Sequence, residues 1–123
     1  MIEDVSGQRE ELRAADFFKV GQLRVRSDRD GVVHTICVEG ELDLATAERL
    51  ECELRRVEAT DVRSIILDLS GLTFIDSTGV RLLVSAHARS HADSDRLALL
   101  RGPAAVQRVF ELTGILDRLP FAD

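Results

Sequence analysis

From Leu23 onward, short β-rich runs alternate with stretches whose apolar residues recur at helical spacing, an alternation that few folds accommodate. Leu23-Arg24-Val25-Arg26 alternates apolar and charged residues, as a half-buried strand does. Asp28, Asp30 and Gly31 mark a turn, and Asp-Gly is a strong hairpin signal. The β-rich run over residues 32–38 is therefore expected to return as the paired strand. Gly40-Glu41-Leu42-Asp43 closes it, with Asp43 placed to cap the next helix by accepting from free N–H groups. In that helix Ala47, Leu50, Leu54 and Val57 form one face, and Glu48, Glu51, Arg55 and Arg56 the other. Residues 64–69, Ser-Ile-Ile-Leu-Asp-Leu, read as a central strand covered on both faces. Ser70-Gly71 is expected to turn the chain before Thr73-Phe74-Ile75. A second helix is predicted over residues 78–91, with Val80, Leu83, Val84 and His87 or Ala88 in its apolar stripe. Residues 96–100 give another strand. Gly102-Pro103 then opens a third helix, proline suiting a first helical position. Val106, Val109 and Phe110 are its buried stripe, and Gly114 ends it.

This order implies an α/β fold: a mixed, mostly parallel sheet of four to five strands with helices packed on it. The 123 residues suit one domain. Residues 1–19 read as an N-terminal extension, flexible or a short helix, and residues 20–123 as the folded domain. With five Phe and no Trp or Tyr, the core falls to Val, Leu, Ile and Ala. Cys37 and Cys52 form no Cys-x-x-Cys pair and are expected as reduced, largely buried thiols.

Charge and hydropathy remove several function classes. The net charge is −6, and Arg55-Arg56 is flanked by Glu51, Glu53 and Glu58. No basic face is left for nucleic acid or for an acidic membrane surface. No run reaches the ~18 apolar residues of a membrane span. The acidic start Met1-Ile2-Glu3-Asp4 is unlike a secretion signal, so the cytoplasm is the expected location.

Asp76-Ser77-Thr78-Gly79 lies between a buried strand and a helix start, where unpaired N–H groups attract anions. A serine there has two uses. Its hydroxyl can cap the helix, which is common, or it can carry a phosphoryl group. Asp76 would repel such a group, yet a carboxylate beside the hydroxyl could also help a kinase orient it. Nucleophilic catalysis fits poorly. Ile75 stands where a Gly-x-Ser-x-Gly elbow needs glycine. A base would have to come from His34, His87 or His91, and His87 lies about two and a half turns down the helix. His87 and His91 have the i, i+4 spacing of a ligand pair, but no acid stands between them as in His-Glu-x-x-His. Asp93 and Asp95 are the nearest further donors, and a solvent-facing helix end is the expected role of the pair. No catalysis, metal or cofactor is expected.

Four segments together resemble the STAS domain, and within it the bacterial anti-sigma factor antagonists. They are Val38-Glu39-Gly40-Glu41-Leu42-Asp43, Ile66-Leu67-Asp68-Leu69-Ser70-Gly71-Leu72, Phe74-Ile75-Asp76-Ser77-Thr78-Gly79-Val80 and Leu112-Thr113-Gly114, in the family's order and spacing. The resemblance runs from about Leu23 to the C-terminus. It implies a STAS fold, and phosphorylation of Ser77 by a serine kinase that is itself an anti-sigma factor. Unphosphorylated, such a protein binds the kinase and frees a sigma factor; phosphorylated, it lets go until a phosphatase resets it. Asp76, Thr78 and Gly79 match the motif, and Glu41 and Asp43 match a segment near the loop, so these residues are expected at the partner contact. ATP and Mg²⁺ belong to the kinase, and the chain is expected as a monomer or weak dimer. STAS domains also serve as unphosphorylated adaptors in transport or stress-signalling complexes, which is the alternative.

Overall fold

The structure, a computed structural model, describes residues 22–122, so the expected extension over residues 1–19 lies outside the described residues. Four strands form one sheet in the order β1 (Leu23–Asp30), β2 (Val33–Leu42), β3 (Ser64–Ile75), β4 (Leu97–Leu100). β1 and β2 are antiparallel, and the other two pairs are parallel. Helices α1 (Ala47–Glu58) and α2 (Ser77–Asp93) connect the parallel strands, and α3 (Ala104–Leu112) follows β4. Beyond a short turn of 3₁₀ helix, Phe121 bridges Leu99 in parallel, the rudiment of a fifth strand.

The hairpin forms where Asp-Gly predicts it. Gly31 takes the first turn position at φ +65°, a conformation glycine adopts readily. Val32 sits in this turn, exposed, instead of beginning the strand. Each later crossover advances one strand in the same direction. Right-handed connection therefore places α1, α2 and α3 on one face of the sheet. Burial follows the pleat: His34, Ile36 and Val38 of β2 and Ile65, Leu67 and Leu69 of β3 are buried, whereas Thr35, Cys37, Ile66 and Asp68 between them are only half-buried. β3 is thus a one-sided strand and not one covered on both faces.

β3 also runs straight through Ser70-Gly71, where a turn was expected. Its pairing to β2 shifts between Cys37 and Glu39 and again between Gly40 and Glu41, so the strand absorbs the irregularity as bulges. Asp68 Oδ1 accepts from Ser70 N at 2.9 Å, holding a local turn inside the strand. Gly71 is needed there, because a Cβ would lie 2.8 Å from the Val38 carbonyl oxygen.

The helices bury Leu50, Leu54 and Val57 of α1, Val80, Leu82, Leu83 and Ala86 of α2, and Val106 and Phe110 of α3. Val84 is 43% exposed and Ala88 also faces out, so the buried stripe of α2 runs through Leu82 and Ala86 instead. Pro103 sits at the N-cap of α3, one residue before the predicted position. Gly114 does end α3, at φ +76°. Gly114 N donates to Glu111 O and Ile115 N to Phe110 O, both at 3.1 Å, a Schellman closure. Cys37 is half-buried on the face of the sheet opposite α1, α2 and α3, and Cys52 is exposed on α1, so the expectation of buried thiols fails. Cys52 lies off the Leu50–Leu54–Val57 stripe that meets the sheet. Arg96 ties α1 to β4, its guanidinium donating to the carbonyls of Glu58 (2.7 Å), Val62 (2.9 Å) and Thr60 (3.2 Å). Nearby, Arg56 grips the Glu53 carboxylate at 2.6 and 2.9 Å and holds its pKa below the usual carboxylate range.

Candidate functional site

β2 and β3 end side by side at the pair Leu42 and Ile75, and Asp76 N donates to Leu42 O at 3.1 Å. Two connections leave from this point: the turn over residues 43–46 into α1, and the abrupt entry into α2.

The first connection is organised by buried polar groups. Asp43 Oδ1 accepts from Ala45 N (3.0 Å) and Thr46 N (3.1 Å), and the Thr46 hydroxyl donates to Glu41 O at 2.7 Å. Asp43 and Thr46 are 8% and 1% exposed, so these hydrogen bonds offset the desolvation of both side chains. Asp43 therefore holds the turn that leads into α1 and does not cap the helix itself; Thr46 occupies the N-cap, without a side-chain cap bond. The turn intervenes because Asp43 O accepts from both Thr46 N (3.1 Å) and Ala47 N (2.8 Å), closing the chain before the helix begins.

The second connection turns on Asp76. It is the N-cap of α2, with Oδ1 accepting from Gly79 N at 3.0 Å, while Oδ2 accepts from Leu44 N at 3.1 Å. One carboxylate thus caps the helix and staples the neighbouring loop to it. The helix begins at Ser77, one residue earlier than the pattern predicts. Capping is done by Asp76, so the Ser77 hydroxyl is left exposed in the first turn, with no hydrogen-bond partner among the described residues. Thr78 is half-buried. Gly79 is buried against Ile75 and Leu42; a Cβ would come within 2.8 Å of Ile75 Cγ1 and 3.0 Å of Leu42 O. Glycine lets the helix start this close to the strand ends.

Asp43, Asp76, Ser77 and Gly79 thus meet in one structure. Glu41 joins it through its carbonyl, its carboxylate having no hydrogen bond or ion pair among the described residues. Two residues that sequence reasoning passed over complete the surface. Leu44, 78% exposed, and Phe74, 49% exposed, line a shallow depression with Asp43, Ala45 and Asp76. Their side chains make the floor of this depression apolar within a polar rim. Neither is marked by periodicity alone: Leu44 precedes the helical stripe, and Phe74 is two residues from the buried Leu72 and in phase with it, its exposure following from the bulge opposite Gly40 and Glu41. Beside the depression, Ala47, Glu48, Glu51, Thr78, Arg81, Leu82 and Ser85 line a second groove between α1 and α2. His87 and His91 lie far along α2, rings 6.2 Å apart, with His91 Nδ1 3.6 Å from Asp95.

The double role of Asp76 has a measurable consequence. Asp76→Ala removes the cap and the staple together and is expected to lower unfolding stability by about 2 kcal/mol. Asp76→Asn keeps an acceptor for Gly79 N but offers an NH₂ group in place of the second oxygen, so it should fall between. Urea denaturation of the three proteins checks the order.

The STAS domain family model matches residues 25–123. The chain is 32% identical over 101 residues to BtrV of Bordetella bronchiseptica, a protein that bears the name of an anti-sigma factor antagonist; the match covers 82% of this chain and 87% of that protein. It is 28% identical over 95 residues to the anti-sigma-B factor antagonist of Staphylococcus aureus, covering 77% and 88% respectively. In structure it resembles an anti-sigma factor antagonist from Mycobacterium paratuberculosis, with a TM-score of 0.72, 24% identity and coverage of 81% and 85%. It also resembles SpoIIAA in its unphosphorylated form, with a TM-score of 0.66, 24% identity and coverage of 81% and 89%. Proteins of this kind act by binding and not by catalysis, and among the described residues no helix is long and apolar enough to cross a membrane. The chain belongs to the STAS domain family, and within it to the anti-sigma factor antagonists.

Proposed function

We propose that this chain is a phosphorylation-controlled antagonist that binds an anti-sigma factor serine kinase through the surface around Ser77. The observation that carries the reading is the division of roles at the start of α2. Asp76 caps the helix, and the Ser77 hydroxyl beside it is exposed and unpartnered among the described residues. Unphosphorylated, the chain presents Ser77, Thr78 and the Leu44–Phe74 depression, with Asp76, Gly79, Glu41 and Asp43 holding their shape. It then occupies the kinase, and a sigma factor is released.

In the kinase complex Ser77 Oγ attacks the γ-phosphorus of ATP, ADP departs, and the hydroxyl proton passes to a base on the kinase. The product adds about −1.5 to −2 charges beside Asp76, whose two oxygens are already engaged. Repulsion and desolvation then act at the centre of the contact, and the kinase lets go. A phosphatase returns the serine by hydrolysis. The reading is of a cytoplasmic protein, a monomer or weak dimer, with its STAS domain over residues 20–123.

The test is intact-mass analysis after incubation with the cognate kinase and Mg-ATP, beside a Ser77→Ala control. One phosphate on the wild type and none on the control is the expected result. No phosphate on either, with tight binding to another partner, would make the chain an unphosphorylated adaptor.

A further inference from the structure

We infer that Arg81 is the residue that receives the phosphoryl group on Ser77, making the switched-off state an internal ion pair along one face of α2. The inference rests on the reading of Ser77 as a phosphorylation site and adds to it a residue and a state.

Three observations lead there. Ser77 and Arg81 are four residues apart on one continuous helix, so they are neighbours on its surface. Both are exposed. Helical side chains lean toward the N-terminus, which carries a long residue at position 81 back over the turn that starts at position 77. The order is also the favourable one, with the anion N-terminal to the cation. Arg81 is not engaged elsewhere. Among the described residues it has no hydrogen bond or ion pair, whereas Arg55, Arg56 and Arg89 on the same side of the molecule are held by Glu51, Glu53 and Glu58.

The surroundings give such a cation a purpose. Asp76 precedes Ser77 directly, Asp43 stands on the adjoining turn, and Glu41 lies at the end of β2 that leads into it. A phosphoryl group added to this acidic surface meets repulsion from each of them. Arg81 lies in the groove beside Thr78, and its guanidinium is suited to a phosphate by charge and by its fork of donors. Before phosphorylation the same arginine shares that groove with Glu48 and Glu51. Phosphorylation then draws the one cation lining the groove toward position 77. The groove becomes more acidic at the same time as the loop gains its phosphate, so two parts of the contact surface change together.

The experiment uses the full chain with phosphoserine incorporated genetically at position 77, which makes it independent of any kinase. The second ionisation of the phosphoserine is followed by ³¹P NMR against pH in three backgrounds: unchanged, Arg81→Gln and Arg81→Lys. Loss of the pairing cation disfavours the dianion, so the Arg81→Gln titration is expected to move upward by about 0.2 to 0.4 pH unit, the worth of one i, i+4 ion pair. Arg81→Lys should restore part of the shift, and the unphosphorylated Arg81→Gln chain should melt within about 2 °C of wild type. Superimposed titrations in all three backgrounds would overturn the assignment and leave the free N–H groups of the helix start as the neutralising element. Failure of a kinase to modify Ser77 in the intact-mass experiment would sink the switch while leaving this titration as it stands.

Discussion

Ser77→Glu should leave the fold intact and weaken binding to the cognate anti-sigma kinase by more than about a hundredfold, which corresponds to about 3 kcal/mol. The two halves of this prediction have separate causes. Stability is expected within about 0.5 kcal/mol of wild type. Ser77 is exposed and its hydroxyl has no partner among the described residues, so its removal leaves nothing unsatisfied. An acid in the first turn of a helix interacts well with the helix dipole, which offsets repulsion by Asp76. Binding suffers for the opposite reason. The new carboxylate lies beside the Leu44–Phe74 depression, where a partner must exclude water, and an unpaired charge in a desolvated contact is costly. Titration calorimetry of wild type, Ser77→Ala and Ser77→Glu separates the terms. Ser77→Ala should bind like wild type. Wild-type affinity in the Glu variant would rule out charge as the switch.

The second large effect is predicted far from the serine, at Gly40. Its backbone lies at φ +107°, and a Cβ there would stand 2.2 Å from the Gln22 carbonyl oxygen. That oxygen is fixed, since it accepts from Glu41 N at 2.7 Å. Gly40→Ala therefore imposes backbone strain and displaces β1 from β2, and it should lower unfolding stability by about 3 kcal/mol or more. Gly31→Ala is the control. Its φ of +65° is also positive, but a Cβ there meets nothing within 4 Å, so the expected loss is only about 1 kcal/mol. Equal losses in urea denaturation would show that the close approach at Gly40 is relieved cheaply. The strain should also reach the site, because Glu41 through Thr46 continue directly from this residue.

Periodicity made the element order legible, because the hydrophobic pattern of each element is local. Asp30-Gly31 and Gly114 announced their turns through backbone conformations that glycine adopts readily. What stayed hidden depends on distant neighbours. Ser70-Gly71 has the composition of a turn, yet the strand continues through it because Gly71 packs against the backbone of β2. Ile66 is as apolar as Ile65, and the placement of α1, α2 and α3 on one side leaves it half-buried. At the site, the motif Asp76-Ser77-Thr78-Gly79 could be found by reading, but the assignment of its cap could not. Both Asp and Ser are good capping residues, and the choice between them is made by Leu44 N, 32 positions earlier in the chain, which holds the Asp76 carboxylate in place. Leu44 and Phe74 escaped notice because an exposed apolar side chain is defined by what fails to cover it.

The staple between Asp76 and Leu44 bears on how quickly such a switch can respond. Both loops of the surface are anchored to one carboxylate, which is anchored to the first turn of a 17-residue helix. In the cycle proposed for Ser77, a surface tied together in this way would change its electrostatic potential more than its shape when the phosphate is added. The tempo of signalling would then be set by the enzymes that add and remove the phosphate, with little delay contributed by the protein between them.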